Sequence, residues 1–127
     1  IVINADVCVN ADYQAMLMYH YNGRNEMTVC AKEKELEIPY GVISFEDDSL
    51  LSIKEKPVSR YFVSAGIYVL DKELLKSLKY NERYDMPDFV NKLKCEGHQV
   101  GIYPLHEEWI DVGLPHEYER AKAHSSS

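Results

Sequence analysis

Two carboxylates near opposite ends of the chain sit in settings suited to a divalent cation. Asp6 closes Asn4-Ala5-Asp6, directly after the β-branched run Ile1-Val2-Ile3. In open α/β sheets, ligands bind beyond the carboxyl ends of strands, and an acid placed there offers hard oxygen to a divalent cation. Asp111 lies in Trp109-Ile110-Asp111-Val112-Gly113, an acid between two apolar residues with a glycine close behind. Each has a plainer reading. Asp6 also fits a helix cap or turn acid, and Asp111 an Asx-turn before the helix start at Pro115. Only folding can bring the two together.

Three further stretches carry residue types suited to a bound ligand. In Glu55-Lys56-Pro57, the lysine is a point charge suited to phosphate and the glutamate can accept hydrogen bonds from sugar hydroxyls. The alternative is a solvated ion pair at an edge strand. Pro39-Tyr40-Gly41-Val42 reads as backbone amides open to a ligand at a strand entrance, or as an ordinary turn. Val63-Ser64-Ala65-Gly66-Ile67-Tyr68-Val69 places small residues inside a strand, which marks close approach of a ligand or another backbone, or tight core packing. The five histidines show no metal-ligand spacing, and His20 reads as a hydrogen-bonded core residue. Neither a P-loop nor a dinucleotide-binding glycine pattern is present. No Ser, Cys or Thr has a nucleophile's context.

These residues must be positioned by alternating strands and helices. Ile1-Val2-Ile3 reads as a buried strand of the parallel-sheet kind. Asp12 caps a helix with Tyr13, Met16, Leu17 and His20 on one face, ended by Gly23. Met27–Ala31 is a strand. Tyr40–Phe45 and Leu50–Ile53 flank Glu46-Asp47-Asp48-Ser49 as a hairpin. Phe62–Leu70 is a long strand. Asp71 caps a short helix through Leu78. Asp85-Met86-Pro87-Asp88 opens a helix to Cys95, stopped by Gly97. Val100–Leu105 is a strand, and Pro115 opens a last helix through Ala123. Residues 125–127 form a disordered tail after a domain of residues 1–124. The alternation predicts an α/β fold with a mixed, mostly parallel sheet.

Composition narrows the function. At 127 residues the chain suits one small domain with a real core. A net charge of −7 provides no basic face for nucleic acid. No apolar run reaches the ~20 residues of a membrane helix, and no signal peptide is visible. Cys8, Cys30 and Cys95 match no zinc or redox spacing and read as reduced, packed thiols of a cytoplasmic protein. The chain opens without Met in what reads as mid-strand, which predicts that further sequence precedes it.

Taken in order, Asn4-Ala5-Asp6, Pro39-Tyr40-Gly41-Val42, Glu55-Lys56-Pro57, Ala65-Gly66-Ile67-Tyr68 and Trp109-Ile110-Asp111-Val112-Gly113 resemble the sugar-1-phosphate nucleotidyltransferase family. Asp85-Met86-Pro87, Tyr118 and Ala121 add to the likeness. The resemblance implies part of a three-layer Rossmann-like domain and an enzyme that joins a sugar 1-phosphate to a nucleoside triphosphate, releasing pyrophosphate. It implies that Asp6 and Asp111 bind Mg²⁺, that Glu55 holds sugar hydroxyls, that Lys56 contacts the sugar phosphate, and that Gly41 and Gly66 border the sugar. The family's Gly-Gly-x-Gly-Thr-Arg-Leu loop is absent from these residues. The chain is therefore expected to lack most of the nucleotide site and to be inactive alone. Uncovered edges predict a homo-oligomer. The rival functions are a sugar-phosphate or nucleotide-sugar binding module, a metal-dependent glycosyltransferase, and a plain α/β interaction domain. Asp6-Val7-Cys8 is not the glycosyltransferase's usual Asp-x-Asp.

Overall fold

The computed structural model describes residues 1–125, without the side chains of 124 and 125. In chain order the elements are β1 (Val2–Ile3), β2 (Val7–Val9), α1 (Tyr13–Asn22), β3 (Met27–Glu37), β4 (Gly41–Glu46), β5 (Ser49–Glu55), β6 (Val58–Leu70), α2 (Lys72–Leu75), α3 (Met86–Cys95), β7 (Val100–Pro104), β8 (Trp109–Asp111) and α4 (Pro115–Ser125). They form two compact units, residues 33–63 and the remainder.

The helix boundaries follow local chemistry. The Asp12 carboxylate accepts the Ala15 N–H at 2.9 Å, capping α1. Gly23 ends α1 as expected, but in the right-handed region at φ −76°. The left-handed step falls one residue later, on Arg24 at φ 51°. Arg24 N–H bonds Tyr21 O and Asn25 N–H bonds His20 O, at 3.0 and 3.1 Å. That is a Schellman closure. Gly97 closes α3 in the same way at φ 87°, with His98 N–H on Leu93 O at 3.0 Å. Helix α2 is one turn long, and i→i+3 bonds run from its start, Leu74 N–H on Asp71 O, to beyond its end, Leu78 N–H on Leu75 O. Helix α4 extends to Ser125. The rest of the expected tail, Ser126 and Ser127, lies outside the described residues.

The larger unit is layered. Its main sheet has the order β1-β6-β3-β7. Strand period 2 sends alternate residues to opposite faces. Ala65, Ile67, Val69 and Cys30 pack with Met16 of α1. Tyr68 and Met27 pack with Leu74 of α2 and with Phe89 and Leu93 of α3. Helices on both faces give the three layers that the family resemblance implied.

Strand direction corrects the expected mostly parallel sheet. β3 and β7 pair in parallel, from Met27↔Val100 to Ala31↔Pro104. β1 and β6, β2 and β8, and β4 and β5 all pair antiparallel. A parallel pair needs a crossover of a dozen residues or more, and β4–β5 has only the short turn at Asp47-Asp48. β1 also departs from the buried reading. It lies at the sheet edge, and Ile1, Val2 and Ile3 are 41–49% exposed.

Candidate active site

Asp6 and Asp111 meet. Asp6 lies in the turn between β1 and β2, and Asp111 ends β8. The β2–β8 ladder pairs Val7 with Asp111 and Val9 with Trp109. Val112 N–H donates to the Asp6 carbonyl at 2.8 Å, extending that ladder to the acid itself. Both carboxylates face Gly113. A Cβ on that glycine would lie 3.0 Å from Asp111 Oδ1 and 3.0 Å from Asp6 Oδ2. The two oxygens are therefore within twice that distance of each other, and any side chain at 113 would press on both. Asp111 Oδ1 also accepts the Gly113 N–H at 2.9 Å. The Asx-turn reading of Asp111 holds alongside the pairing and occupies one of its two oxygens.

Two adjacent carboxylates suit a hard cation. Among the described residues neither joins an ion pair, and no group of three or more His, Cys, Asp or Glu side chains could hold a metal. Two carboxylate donors fall short of a closed zinc site. They match Mg²⁺, which keeps waters and takes one or two carboxylates together with substrate phosphates. The residues present thus fit the ion that the motifs imply.

Gly41, Glu55 and Lys56 gather in the smaller unit. Gly41 pairs with Glu55 across the hairpin. A Cβ there would stand 3.5 Å from Glu55 Oε2 and 3.2 Å from Ile53 Cγ2, so the glycine keeps that face of Glu55 clear. Lys56 has φ 41°, a left-handed conformation rare outside glycine. It is held by its N–H on Tyr40 O at 3.2 Å, and Ile38 N–H bonds Pro57 O at 3.1 Å. Glu55 and Lys56 are exposed, and neither joins an ion pair among the described residues. Both side chains are solvated, as the plainer reading also has them.

Gly66 is left-handed, at φ 72°. The space beside it is filled by protein: a Cβ would lie 2.8 Å from Asn4 Nδ2 and 3.0 Å from Val7 Cγ2. On that side the glycine admits the Asn4 amide. Sequence reasoning missed Asn4 in this role, and also Trp109, whose indole N–H donates to Ala65 O at 2.8 Å. Both stood inside quoted motifs, but only the fold shows what they touch.

His20 is the core residue expected. It is buried, with Nδ1 2.8 Å from Thr28 Oγ1 and Nε2 2.9 Å from Asp71 Oδ1. Asp71 stands at the α2 N-cap but makes no side-chain cap bond there, its carboxylate reaching His20 instead. Of the cysteines only Cys30 is packed. Cys8 and Cys95 are exposed, which corrects the packed reading for those two. Burial, reinforced by the charge of Glu107, pushes the Cys30 thiol up to about 11. No helix among the described residues is long and apolar enough to cross a membrane.

Helices on both faces of a mixed sheet, with two carboxylates gathered beside a glycine, define a Rossmann-like α/β domain with an acidic site. The chain belongs to the nucleotidyl transferase family, whose sequence model matches residues 1–127. It is 34% identical over 122 residues to a Sulfolobus acidocaldarius protein named "Putative mannose-1-phosphate guanyltransferase", covering 94% of this chain and 33% of that one. It is 27% identical over 127 residues to D-glycero-alpha-D-manno-heptose 1-phosphate guanylyltransferase of Aneurinibacillus thermoaerophilus, covering 96% and 54%. The fold matches the crystal structure of HddC from Yersinia pseudotuberculosis with a TM-score of 0.65 at 20% identity, over 94% of this chain and 52% of that one. The chain thus spans between a third and about half of the length of these relatives.

Proposed function

We propose that this chain is the cation- and sugar-phosphate-binding part of a nucleotidyltransferase that converts a sugar 1-phosphate and a nucleoside triphosphate to a nucleotide-sugar and pyrophosphate. The convergence of Asp6 and Asp111 beside Gly113 carries the reading. In this reaction a phosphate oxygen of the sugar 1-phosphate attacks the α-phosphorus, and pyrophosphate leaves with the electrons of the broken P–O bond. The attacking oxygen is already anionic, so no strong base is required, and catalysis reduces to positioning and charge compensation. Asp6 and Asp111 would hold Mg²⁺, which when bound offsets the repulsion between phosphates. Lys56, at a left-handed turn position directly after β5, supplies a positive charge for the sugar phosphate. Glu55 accepts hydrogen bonds from sugar hydroxyls, over the face that Gly41 keeps open. The relatives' names make GTP and a manno-configured sugar 1-phosphate the first pair to try.

The sequence holds no Gly-Gly-x-Gly-Thr-Arg-Leu loop, which supports a binding role without turnover for residues 1–127 alone. Free thiols at Cys8, Cys30 and Cys95 fit a cytoplasmic setting. Copies associate through the hairpin, where the cross-strand pairs Ile43↔Ile53 and Phe45↔Leu50 are all more than half exposed. A monomeric mass by light scattering at high concentration would refute that association.

The decisive assay is Mg²⁺-dependent pyrophosphate release by a protein joining these residues to a family nucleotide-binding half, run beside residues 1–127 alone. Asp111→Asn and Asp6→Asn should each cost the joined protein several kcal/mol of transition-state stabilisation, about 10²-fold or more in rate. Unchanged rates in both variants would remove the carboxylates from the mechanism. Turnover by residues 1–127 alone would overturn the reading that they act only together with a nucleotide-binding half.

A further inference from the structure

We infer that two consecutive carbonyls of β6, those of Ala65 and Gly66, are a common anchor that sets the spacing of Asp6 and Asp111, and that Asn4 and Trp109 are the positioning residues that bind to it. The inference rests on the cation-site reading and adds what holds that site in register.

The two pins are matched. Asn4 N–H donates to Gly66 O at 2.8 Å, and Trp109 Nε1–H donates to Ala65 O at 2.8 Å. Each carboxylate follows its pinned residue by two positions, Asp6 after Asn4 and Asp111 after Trp109. Without these bonds the carboxylate segments are joined to each other by the β2–β8 ladder, which is only three residues long on each side. A ladder that short does not fix a geometry alone. The Ala65–Val69 segment of β6, by contrast, is buried throughout and belongs to the core of the larger unit, so it is a rigid reference.

Gly66 makes the double anchorage possible. Its φ of 72° breaks the regular strand at the point where the β1 ladder, Val2↔Tyr68 and Ile3↔Ile67, runs out. The missing Cβ leaves the place that Asn4 Nδ2 fills, 2.8 Å from where the carbon would stand. Alanine at 66 would displace Asn4 and with it the turn that carries Asp6. The circuit closes at Val112 N–H on Asp6 O, 2.8 Å, and at the two carboxylates over Gly113. Groups that orient ligands in this way typically change metal affinity 10- to 100-fold when removed.

The test uses the 127-residue chain with Mn²⁺ as the spectroscopic probe for the cation, and hydrogen exchange at the Val112 amide as a reading that needs no metal. Trp109→Phe keeps a ring packed against the core and removes the indole N–H. It should weaken Mn²⁺ binding about tenfold and speed Val112 exchange about three- to tenfold. Gly66→Ala should act in the same direction. Leu93→Ala, which opens a hole in the other core cluster, should lower Tm while leaving both readings of the folded protein unchanged. Wild-type values of both readings in a folded Trp109→Phe protein would overturn the anchor. Absence of Mn²⁺ binding in the wild-type chain would sink the cation reading instead, and Val112 exchange would then decide the anchor alone.

Discussion

The two units of the chain are built on different terms. Outside residues 33–63 there are two core clusters, and every buried side chain of the described residues belongs to that larger unit. Residues 33–63 contain no buried residue at all. Ile43, Phe45, Leu50, Leu51 and Ile53 of the hairpin are 56–69% exposed. A two-stranded ribbon of this kind is marginal by itself, and few buried apolar contacts place it at the low end of local stability. The candidate chemistry divides along the same line. The carboxylates that would hold a cation sit in the unit with a core, where geometry can be fixed. Glu55, Lys56 and Gly41, assigned to the sugar phosphate, sit in the unit without one. A cation site tolerates little positional error, whereas a segment that contacts an incoming substrate gains from being able to adjust.

Core substitutions should show the contrast at its largest. Ile67 is fully buried in the cluster under α1. Ile67→Ala should cost about 2–5 kcal/mol, the lost transfer energy plus the cavity left behind. Denaturant midpoints at an unchanged m-value would measure it. A loss below about 1 kcal/mol would mean that the larger unit is not the source of stability.

The next effect comes from the buried polar network of the same unit. His20 joins α1 to Thr28 of β3 and to Asp71 after β6. His20→Leu preserves bulk and removes both bonds, leaving the Thr28 hydroxyl with the Asn25 amide at 3.3 Å as a weaker partner. The expected cost is about 1–3 kcal/mol. A neutral or stabilising result would show that packing alone holds this corner.

Alkali should then find Cys30. Its ordinary value of 9.0 is raised to about 11 by burial and by Glu107. Above pH 9 the unfolded chain loses the thiol proton while the folded chain keeps it, so unfolding is favoured as pH rises through 9 to 11. Full stability from this group is present below pH 9, and its loss is on the order of 2 kcal/mol. Cys30→Ala or Cys30→Val should flatten that limb of the pH–stability curve. A thiol reagent at pH 8 should label Cys8 and Cys95 in the native protein and all three cysteines in denaturant.

Local chemistry made much of this fold legible. The Asp12 cap, Pro87 in the first turn of α3, Gly97 at its end and the acidic turn of the hairpin each act within a few residues, and each stands where the sequence places it. Asp6 and Asp111 were legible as candidates, but not as neighbours, because their meeting depends on the β2–β8 ladder between distant segments. Strand direction was hidden for the same reason. The second half of β3, Lys32 to Glu37, alternates basic and acidic residues until Leu36. With no apolar face toward a core, it gives no period-2 signal of the usual kind. At Asp71 the sequence predicts a helix cap, because nothing local reveals that His20 lies close enough to claim the carboxylate.

The smallest effect is expected in the ribbon, where it tests the comparison most sharply. Ile53 faces Ile43 across the hairpin and is 59% exposed. In a single copy of the chain, Ile53→Ala removes little buried area and should change stability by no more than about 0.5 kcal/mol, roughly a tenth to a quarter of the Ile67→Ala cost. That value should hold at low protein concentration. If copies associate through this stripe, the same substitution should lower Tm progressively more as concentration rises, because assembly stabilises by mass action and the variant assembles less well. A large loss that does not depend on concentration would mean that the stripe is covered within one chain. The ribbon would then share the core's source of stability, and the division between the two units would fail.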